Sequence, residues 1–335
     1  MVRGRSAADG VYVPLYKENS MKKMAFLASL CVAVTCVAMS AAQAGQMRIG
    51  YSCSNFNDIF QIYVVDAAKT EAAANPGVVL DVMDAQEDIM RQQDQVNNMI
   101  QNGVDALVVV PVDTAAVAPI EEAAKAAKLP LVYVNRNPYP DGKLPANVYY
   151  VGTDSVLQGR MQMEYLGEKM GGKGNIVILL GILTNESAFN RTKGNKDVIA
   201  EKYPGIKVLA EETGNWQQDQ GMTVTENWIT AYGGQINAVV SNNDNMVLGA
   251  ISALENAGMK DKVLTIGVDA TTDALQAIVA GRQDATVLQD PIGQGKGAIQ
   301  VCVKLLSGEK VPPLTDVPPE LITKENAQAQ LDKTR

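Results

Sequence analysis

The sequence predicts an α/β fold made of two similar doubly wound lobes, each with a parallel sheet, joined by a hinge of three chain crossings. Short β-branched runs alternate with longer amphipathic runs over residues 47–307. Strict alternation of strand and helix is typical of parallel sheets with right-handed crossovers. Most strand runs are apolar on both faces, as in central strands covered by helices. Ten strand candidates exceed the roughly 5–6 strands of an average sheet, so we expect two sheets.

Each predicted strand is a short apolar run, and each segment between strands carries apolar residues at helical spacing. The predicted strands are 47–53, 78–83, 104–110, 130–134, 149–152, 175–181, 206–211, 237–241, 263–268 and 284–288. The predicted helices are 61–74, 89–102, 115–128, 155–170, 189–202, 217–231, 246–258, 271–281 and 293–307. We expect hinge crossings near 152–154, 289–291 and 319–323. The expected lobes are 45–153 with 290–320, and 154–289 with 321–335.

The N-terminal segment has the pattern of an export signal. Two lysines at 22–23 precede an uncharged apolar run over 24–39, which is shorter than the roughly 20 residues of a membrane span. The small residues at 42–44 are typical of a signal cleavage site. We therefore expect removal of residues 21–44, with 1–20 as an extension outside the fold. Export through such a signal predicts a periplasmic location.

Composition excludes several classes of function. The expected mature chain carries 24 Lys and Arg against 35 Asp and Glu, a formal charge of −11, so nucleic acid and anionic lipid are poor partners. The sequence holds no histidine, which excludes Ser-His-Asp, Cys-His and His-based zinc sites. No glycine loop has phosphate-binding spacing, and we expect a monomer with no cofactor and no metal. The sequence leaves open whether Cys53 and Cys302 form a disulfide.

Polar and aromatic residues follow the predicted strands, at the edge where ligands bind to open α/β sheets. Planar amides, carboxylates and guanidinium groups match the paired hydroxyls of a polyol. Flat aromatic rings cover the apolar C–H faces of a sugar ring. Each residue also has an ordinary role open to it, since Asp before a helix is a common N-cap and aromatics commonly pack in cores. The candidates are Asp58, Phe60, Asn135, Arg136, Asn185, Ser187, Arg191, Trp216, Asn243, Asp269 and Gln289.

These motifs resemble the type I periplasmic sugar-binding proteins over about residues 47–322. RIGYSCSNFNDIF is similar to the family's opening segment, in which the residues matching Asp58 and Phe60 meet the sugar. VVVPVDTAAVAPIEEAAKAAKLPLVYVNRNP is similar to a second family segment, whose polar pair matches Asn135 and Arg136. Further matches are Arg191, the stacking aromatic Trp216, Asn243 in SNNDNMVLGA, Asp269 in IGVDAT and Gln289 in ATVLQD.

Departures from the family patterns leave the ligand open. Asn185 and Ser187 stand where the galactose type has His and Asp, and Gln61 stands where the ribose type has a second Phe. The segment 167–174 is too short and too poor in carboxylates for the calcium loop of the galactose type. An inositol or an inositol-derived amine fits this amide-rich set at least as well as a pentose or hexose.

The resemblance implies the solute-binding protein of an ABC importer, which closes on a monosaccharide or cyclitol and docks on an inner-membrane permease. Engagement of a chemoreceptor is left open by the sequence. The alternative is a periplasmic carbohydrate hydrolase that uses Asp58 and Asp269 as its carboxylate pair. A transcriptional regulator of similar core fold would need an N-terminal helix-turn-helix where this chain has its signal and first strand.

Overall fold

The computed structural model describes residues 45–333, which contain two six-stranded β-sheets. The expected signal segment 21–44 and the extension 1–20 lie outside the described residues, so these predictions stay predictions. Among residues 45–333, no helix is long and apolar enough to cross a membrane.

Strands and helices alternate along most of the chain. In order they are β1 (Met47–Cys53), α1 (Ile59–Ala74), β2 (Val78–Asp84), α2 (Ile89–Gln101), β3 (Ala106–Val109), α3 (Ala118–Ala126), β4 (Leu131–Val134), β5 (Val148–Gly152), α4 (Ser155–Lys169), β6 (Lys173–Leu180), α5 (Glu186–Lys202), β7 (Gly205–Thr213), α6 (Gln218–Tyr232), β8 (Ala238–Ser241), α7 (Asp244–Asn256), β9 (Leu264–Asp269), α8 (Thr272–Val279), β10 (Ala285–Leu288), α9 (Pro291–Leu306), β11 (Leu314–Asp316), β12 (Glu320–Thr323) and α10 (Ala327–Lys333).

Each sheet forms the centre of one lobe. The sheet of the first lobe has the order β2-β1-β3-β4-β5-β11, with every neighbouring pair parallel. The sheet of the second lobe has the order β7-β6-β8-β9-β10-β12, which is parallel except for the last pair. The predicted fold class of two doubly wound lobes is therefore confirmed, with one antiparallel edge strand in addition.

The chain passes between the two sheets three times. Two of the passages lie at 153–154, after β5, and at 289–290, after β10. The third lies at 317–319, between β11 and β12. We expected it at 319–323, but residues 320–323 form β12, which pairs with β10. Pro318 and Pro319 have no amide N–H to offer a sheet, so the passage ends where these prolines end.

The ten predicted strands are present, with ends displaced by a few residues at most. Sequence patterns missed β11, β12 and α10, because runs of three, four and seven residues are too short to show a period. Cys53 and Cys302 are free thiols, both buried in the core of the first lobe. This answers the disulfide question that the sequence leaves open.

Candidate functional site

A cavity lies between the lobes, and both lobes line it. Most of the lining residues carry polar or charged side chains, so a fitting ligand must offer hydrogen-bonding groups over most of its surface. The lining residues are Asp58, Phe60, Gln61, Asn135 and Arg136 from the first lobe, with Ser187, Arg191, Trp216, Asn243, Asp269 and Gln289 from the second lobe and its hinge end.

Ten of the eleven predicted residues thus lie around one cavity. The eleventh, Asn185, is fully buried behind Trp216 and does not line the cavity. Gln61 lines the cavity although the sequence reasoning did not select it. A signal for it existed, because Gln61 directly follows Phe60 on the first turn of α1.

Left-handed or otherwise unusual backbone turns direct three side chains into the cavity. Asn135 has φ 67° directly after β4, Trp216 has φ 66°, and Asp269 has φ 122° at the end of β9. Such conformations cost about 1–3 kcal/mol each for residues other than glycine. These backbone conformations persist because the packing of the surrounding lobe stabilises them. They turn the chain sharply beyond the strand ends, which is where the ligand sites of α/β sheets lie.

In the first lobe, Asp58 and Arg136 are held by separate partners. Asp58 is the N-cap of α1, and its Oδ1 accepts from Phe60 N at 3.0 Å. Burial raises the pKa of Asp58, and the Arg136 charge opposes that shift. Arg136 forms a two-pronged ion pair with Glu87, with Nη2 3.0 Å from Oε1 and Nη1 3.3 Å from Oε2. Since Glu87 compensates the Arg136 charge, Arg136 is a fixed hydrogen-bond donor within a neutral pair.

A chain of side-chain amides joins the two lobes beneath the cavity. Gln61 Nε2 donates to Asn135 Oδ1 at 2.7 Å, and Asn135 Nδ2 donates to Gln289 Oε1 at 3.1 Å. Gln289 Nε2 in turn donates to Asp269 Oδ1. Each amide therefore has a set orientation, and the hydrogen-bonding groups it turns to the cavity are defined before a ligand enters.

In the second lobe, Arg191 is buried and oriented by two acceptors. Its Nε donates to Gln158 Oε1 at 2.7 Å and its Nη1 to Asn242 O at 2.6 Å. Burial lowers the pKa of Arg191, and the Asp269 charge opposes that shift. Conversely, burial raises the pKa of Asp269 well above its usual value, against the effect of Arg191. No sequence pattern indicates a role for Gln158, since an amide inside a helix resembles an exposed polar position.

Trp216 is held on several sides. The Arg191 guanidinium carbon lies 5.8 Å from the centroid of its ring, which is within cation–π range. A Cβ on Gly181 would clash with the indole, so the ring packs directly on the backbone there. Asn243, the N-cap of α7, donates from Nδ2 to Trp216 O at 3.2 Å. Trp216 is thereby a rigid aromatic wall on the second-lobe side of the cavity.

Hydrogen bonds also join the lobes beside the cavity, at a group we call the latch: Val112 and Thr114 of the first lobe with Thr184, Asn185 and Glu186 of the second. Asn185 Nδ2 donates to Val112 O at 2.9 Å, and Glu186 N donates to Thr114 Oγ1 at 3.2 Å. Thr114 Oγ1 donates to Thr184 O at 3.2 Å. Burial raises the pKa of Glu186 to about 7, although the Ser155 hydroxyl and the Arg191 charge oppose the shift.

The arrangement is suited to binding a polyhydroxylated ring. Two carboxylates, two guanidinium groups and several amides provide paired acceptors and donors, and Phe60 and Trp216 provide one flat apolar surface from each lobe. Within residues 45–333, no group of three or more His, Cys, Asp or Glu is placed to hold a metal ion.

Two parallel-sheet lobes, three chain passages and a polar cavity between them define a bilobal solute-binding protein. The chain belongs to the periplasmic binding protein family, since residues 49–310 match the model of the periplasmic binding protein domain.

Relatives and solved structures agree with this assignment. A Rhizobium meliloti protein named for rhizopine binding is 41% identical over 280 residues, which are 83% of this chain and 90% of the relative. A solute-binding protein of an ABC transporter from Bacillus halodurans, solved with myo-inositol, has a TM-score of 0.81 at 40% identity and covers 86% of this chain and 98% of its own. The Caulobacter myo-inositol-binding protein has a TM-score of 0.80 at 28% identity, over 86% and 97% of the two chains.

Proposed function

We propose that this protein captures a cyclic polyol of the inositol type and delivers it to the permease of an ABC importer. The observation that carries the proposal is the cavity between the lobes, which is polar around most of its wall and has one aromatic ring from each lobe. We further propose the lobe boundaries expected from the sequence, with the third passage moved to 317–319. The proposed ligand contacts are the expected binding residues other than Asn185, together with Gln61.

The kind of polyol follows from where the polar groups lie. Gln61 places an amide in the cavity where the ribose-type pattern has an aromatic ring. At this position the lining therefore offers hydrogen bonds instead of an apolar surface. An inositol carries a hydroxyl on every ring carbon and can engage polar groups around its whole rim. A pentose offers fewer hydroxyls and would leave part of this wall unpaired, at a cost of about 1–3 kcal/mol for each buried group.

Family membership supports the location and the partner. The chain begins with the pattern of an export signal, and its relatives are named as solute-binding or import-binding proteins. Closure on a ligand creates a distinct molecular surface, which a membrane permease can recognise. A role as a hydrolase with Asp58 and Asp269 as its carboxylate pair is less well supported, because both carboxylates already have partners within the protein. Asp58 accepts from Phe60 N, and Asp269 accepts from the Gln289 amide.

Calorimetry with five polyols tests the proposed function: myo-inositol, scyllo-inositol, D-ribose, D-galactose and xylitol. We expect an inositol to bind at least about tenfold more tightly than the others, since one decade corresponds to about 1.4 kcal/mol. Mass spectrometry of the released ligand should recover it unchanged. Tightest binding of ribose or galactose would contradict the inositol assignment, and chemical conversion of the bound polyol would contradict the binding role itself.

A further inference from the structure

Asn185 occupies a helix N-cap without capping the helix. It precedes the first residue of α5, yet its side chain makes no capping hydrogen bond. An N-cap asparagine usually accepts from a backbone N–H of the first turn, which stabilises the helix. The side chain of Asn185 is fully buried and is committed to two other partners on different elements. The Asn185 side chain makes these two contacts instead of a capping hydrogen bond, so its role is not to stabilise the start of α5.

The two contacts fix the orientation of the amide without ambiguity. The indole Nε1–H of Trp216 is only a donor, and it donates to Asn185 Oδ1 at 2.9 Å. The Val112 carbonyl is only an acceptor, and it receives Asn185 Nδ2 at 2.9 Å. Rotating the amide by half a turn would place donor against donor and acceptor against acceptor. Both contacts therefore require the same orientation of the amide.

The partners belong to opposite lobes. Trp216 lies in the second lobe with Asn185, whereas Val112 lies in the first. The same first-lobe segment also holds Arg136, whose Nη1 donates to Pro111 O at 3.0 Å. One buried amide thus connects a wall of the cavity in the second lobe with the segment that positions Arg136 in the first.

We propose that Asn185 is a positioning residue that couples the orientation of Trp216 to closure of the lobes, and that it does not contact the ligand. Separation of the lobes breaks the contact to Val112, and the amide can then rotate away from the indole N–H. Closure restores both contacts, so the aromatic wall is set as the cavity forms. This inference rests on the proposed function, because the coupling acts on ligand binding.

Two variants separate the contacts. Asn185→Asp keeps an acceptor for Trp216 Nε1 but removes the donor to Val112 O and places a carboxylate beside that carbonyl. Asn185→Ala removes both contacts. Asn97→Asp makes the same chemical change at an exposed position of α2 and serves as the control. We measure affinity by calorimetry and dissociation rate by stopped-flow fluorescence, with myo-inositol as the probe.

We expect Asn185→Asp to weaken binding about tenfold, mainly through faster dissociation, while melting without ligand matches that of Asn97→Asp. Asn185→Ala should weaken binding at least as much and also shift the tryptophan emission of the complex. Monodeoxy-inositols separate positioning from contact. Positioning lowers the affinity for every analogue by one common factor, whereas direct contact spares the analogue that lacks the contacted hydroxyl.

Each unfavourable result has a clear meaning. Wild-type kinetics in Asn185→Asp, or one spared deoxy-inositol, would overturn the positioning role and leave the proposed function intact. A wild-type protein that does not bind myo-inositol would overturn the proposed ligand and this inference together.

Discussion

At the residue scale, Asp269 and Arg191 are buried groups of opposite charge, and both line the cavity. Asp269 Oδ1 is taken by Gln289, and Arg191 uses Nε and Nη1 within the protein. We propose that Asp269 Oδ2 and Arg191 Nη2 bind ligand hydroxyls. Hydrogen bonds to charged groups contribute about 1.5–3 kcal/mol each, which makes this pair the strongest candidate contact in the site.

We predict that Asp269→Ala and Arg191→Ala each weaken inositol binding at least about tenfold, because buried polar partners lose their counterparts. Calorimetry measures the change, and Asp94→Ala on the exposed face of α2 is the control. Wild-type affinity in either variant would mean that the ligand lies elsewhere.

Sequence reasoning identified residues near the carboxyl ends of strands, including Arg191 inside α5, and missed Gln158, which orients Arg191 without lining the cavity. Asp58 is an N-cap, as the ordinary interpretation of the pattern predicts, and Asn243 is an N-cap as well; both also line the cavity. The two roles coexist because a cap uses one side-chain oxygen; in Asn243, Nδ2 donates to Trp216 O and still has a second N–H. Gln158 acts from inside α4, and its contact with Arg191 arises from tertiary packing that no local pattern reports.

At the element scale, glycines allow close helix packing in the second lobe. A Cβ on Gly249 of α7 would meet the Gln218 carbonyl of α6 and lie 2.8 Å from Met222 N. Gly221 of α6 meets the backbone of α7 in the same way. The two helices therefore pack backbone to backbone, with no room for an added methyl group.

We predict that Gly249→Ala lowers the stability of the ligand-free protein by about 1–3 kcal/mol, because overpacking outweighs the better helix propensity of alanine. Gly234→Ala is the matched control, since no atom lies within 4 Å of its added Cβ. Thermal and denaturant unfolding measure both variants. Equal stability of the two would show that the α6–α7 contact is able to relax.

The amphipathic pattern of α6 and α7 predicted that these helices exist, but it did not predict how closely they approach. The same limit explains β12, whose antiparallel pairing with β10 depends on where the chain returns after Pro318 and Pro319. Local patterns therefore predict the type of an element, while its partners depend on the tertiary fold.

At the scale of the whole molecule, the latch makes closure sensitive to pH. Glu186 has a pKa of about 7 where the lobes meet, above its usual value of 4.5, chiefly because of burial. On opening, the carboxyl group gains access to water and its pKa returns toward the usual value. The closed form therefore holds the proton more tightly, and closure becomes more favourable as pH falls through about 7.

We predict that inositol affinity increases as pH is lowered from 8 to 5, by at most about one decade per pH unit for this proton, with proton uptake on binding. Calorimetry in buffers of different ionisation enthalpy measures the uptake. Asp58 and Asp269 also have raised pKa values. The contribution of Glu186 to the pH dependence of affinity is therefore the difference in slope between the wild type and Glu186→Gln. Identical pH slopes in the two proteins would contradict this assignment.

The two buried thiols of the first-lobe core, Cys53 and Cys302, have a chemical consequence under oxidising conditions. Burial raises the pKa of Cys53 and of Cys302 to about 12, so roughly one in 10⁵ of either group is a thiolate at neutral pH. The thiolate is the species that attacks disulfides and oxidants. Once folded, the chain is therefore chemically inert toward thiol exchange, and a wrongly paired cysteine can arise only before this core forms or after it opens.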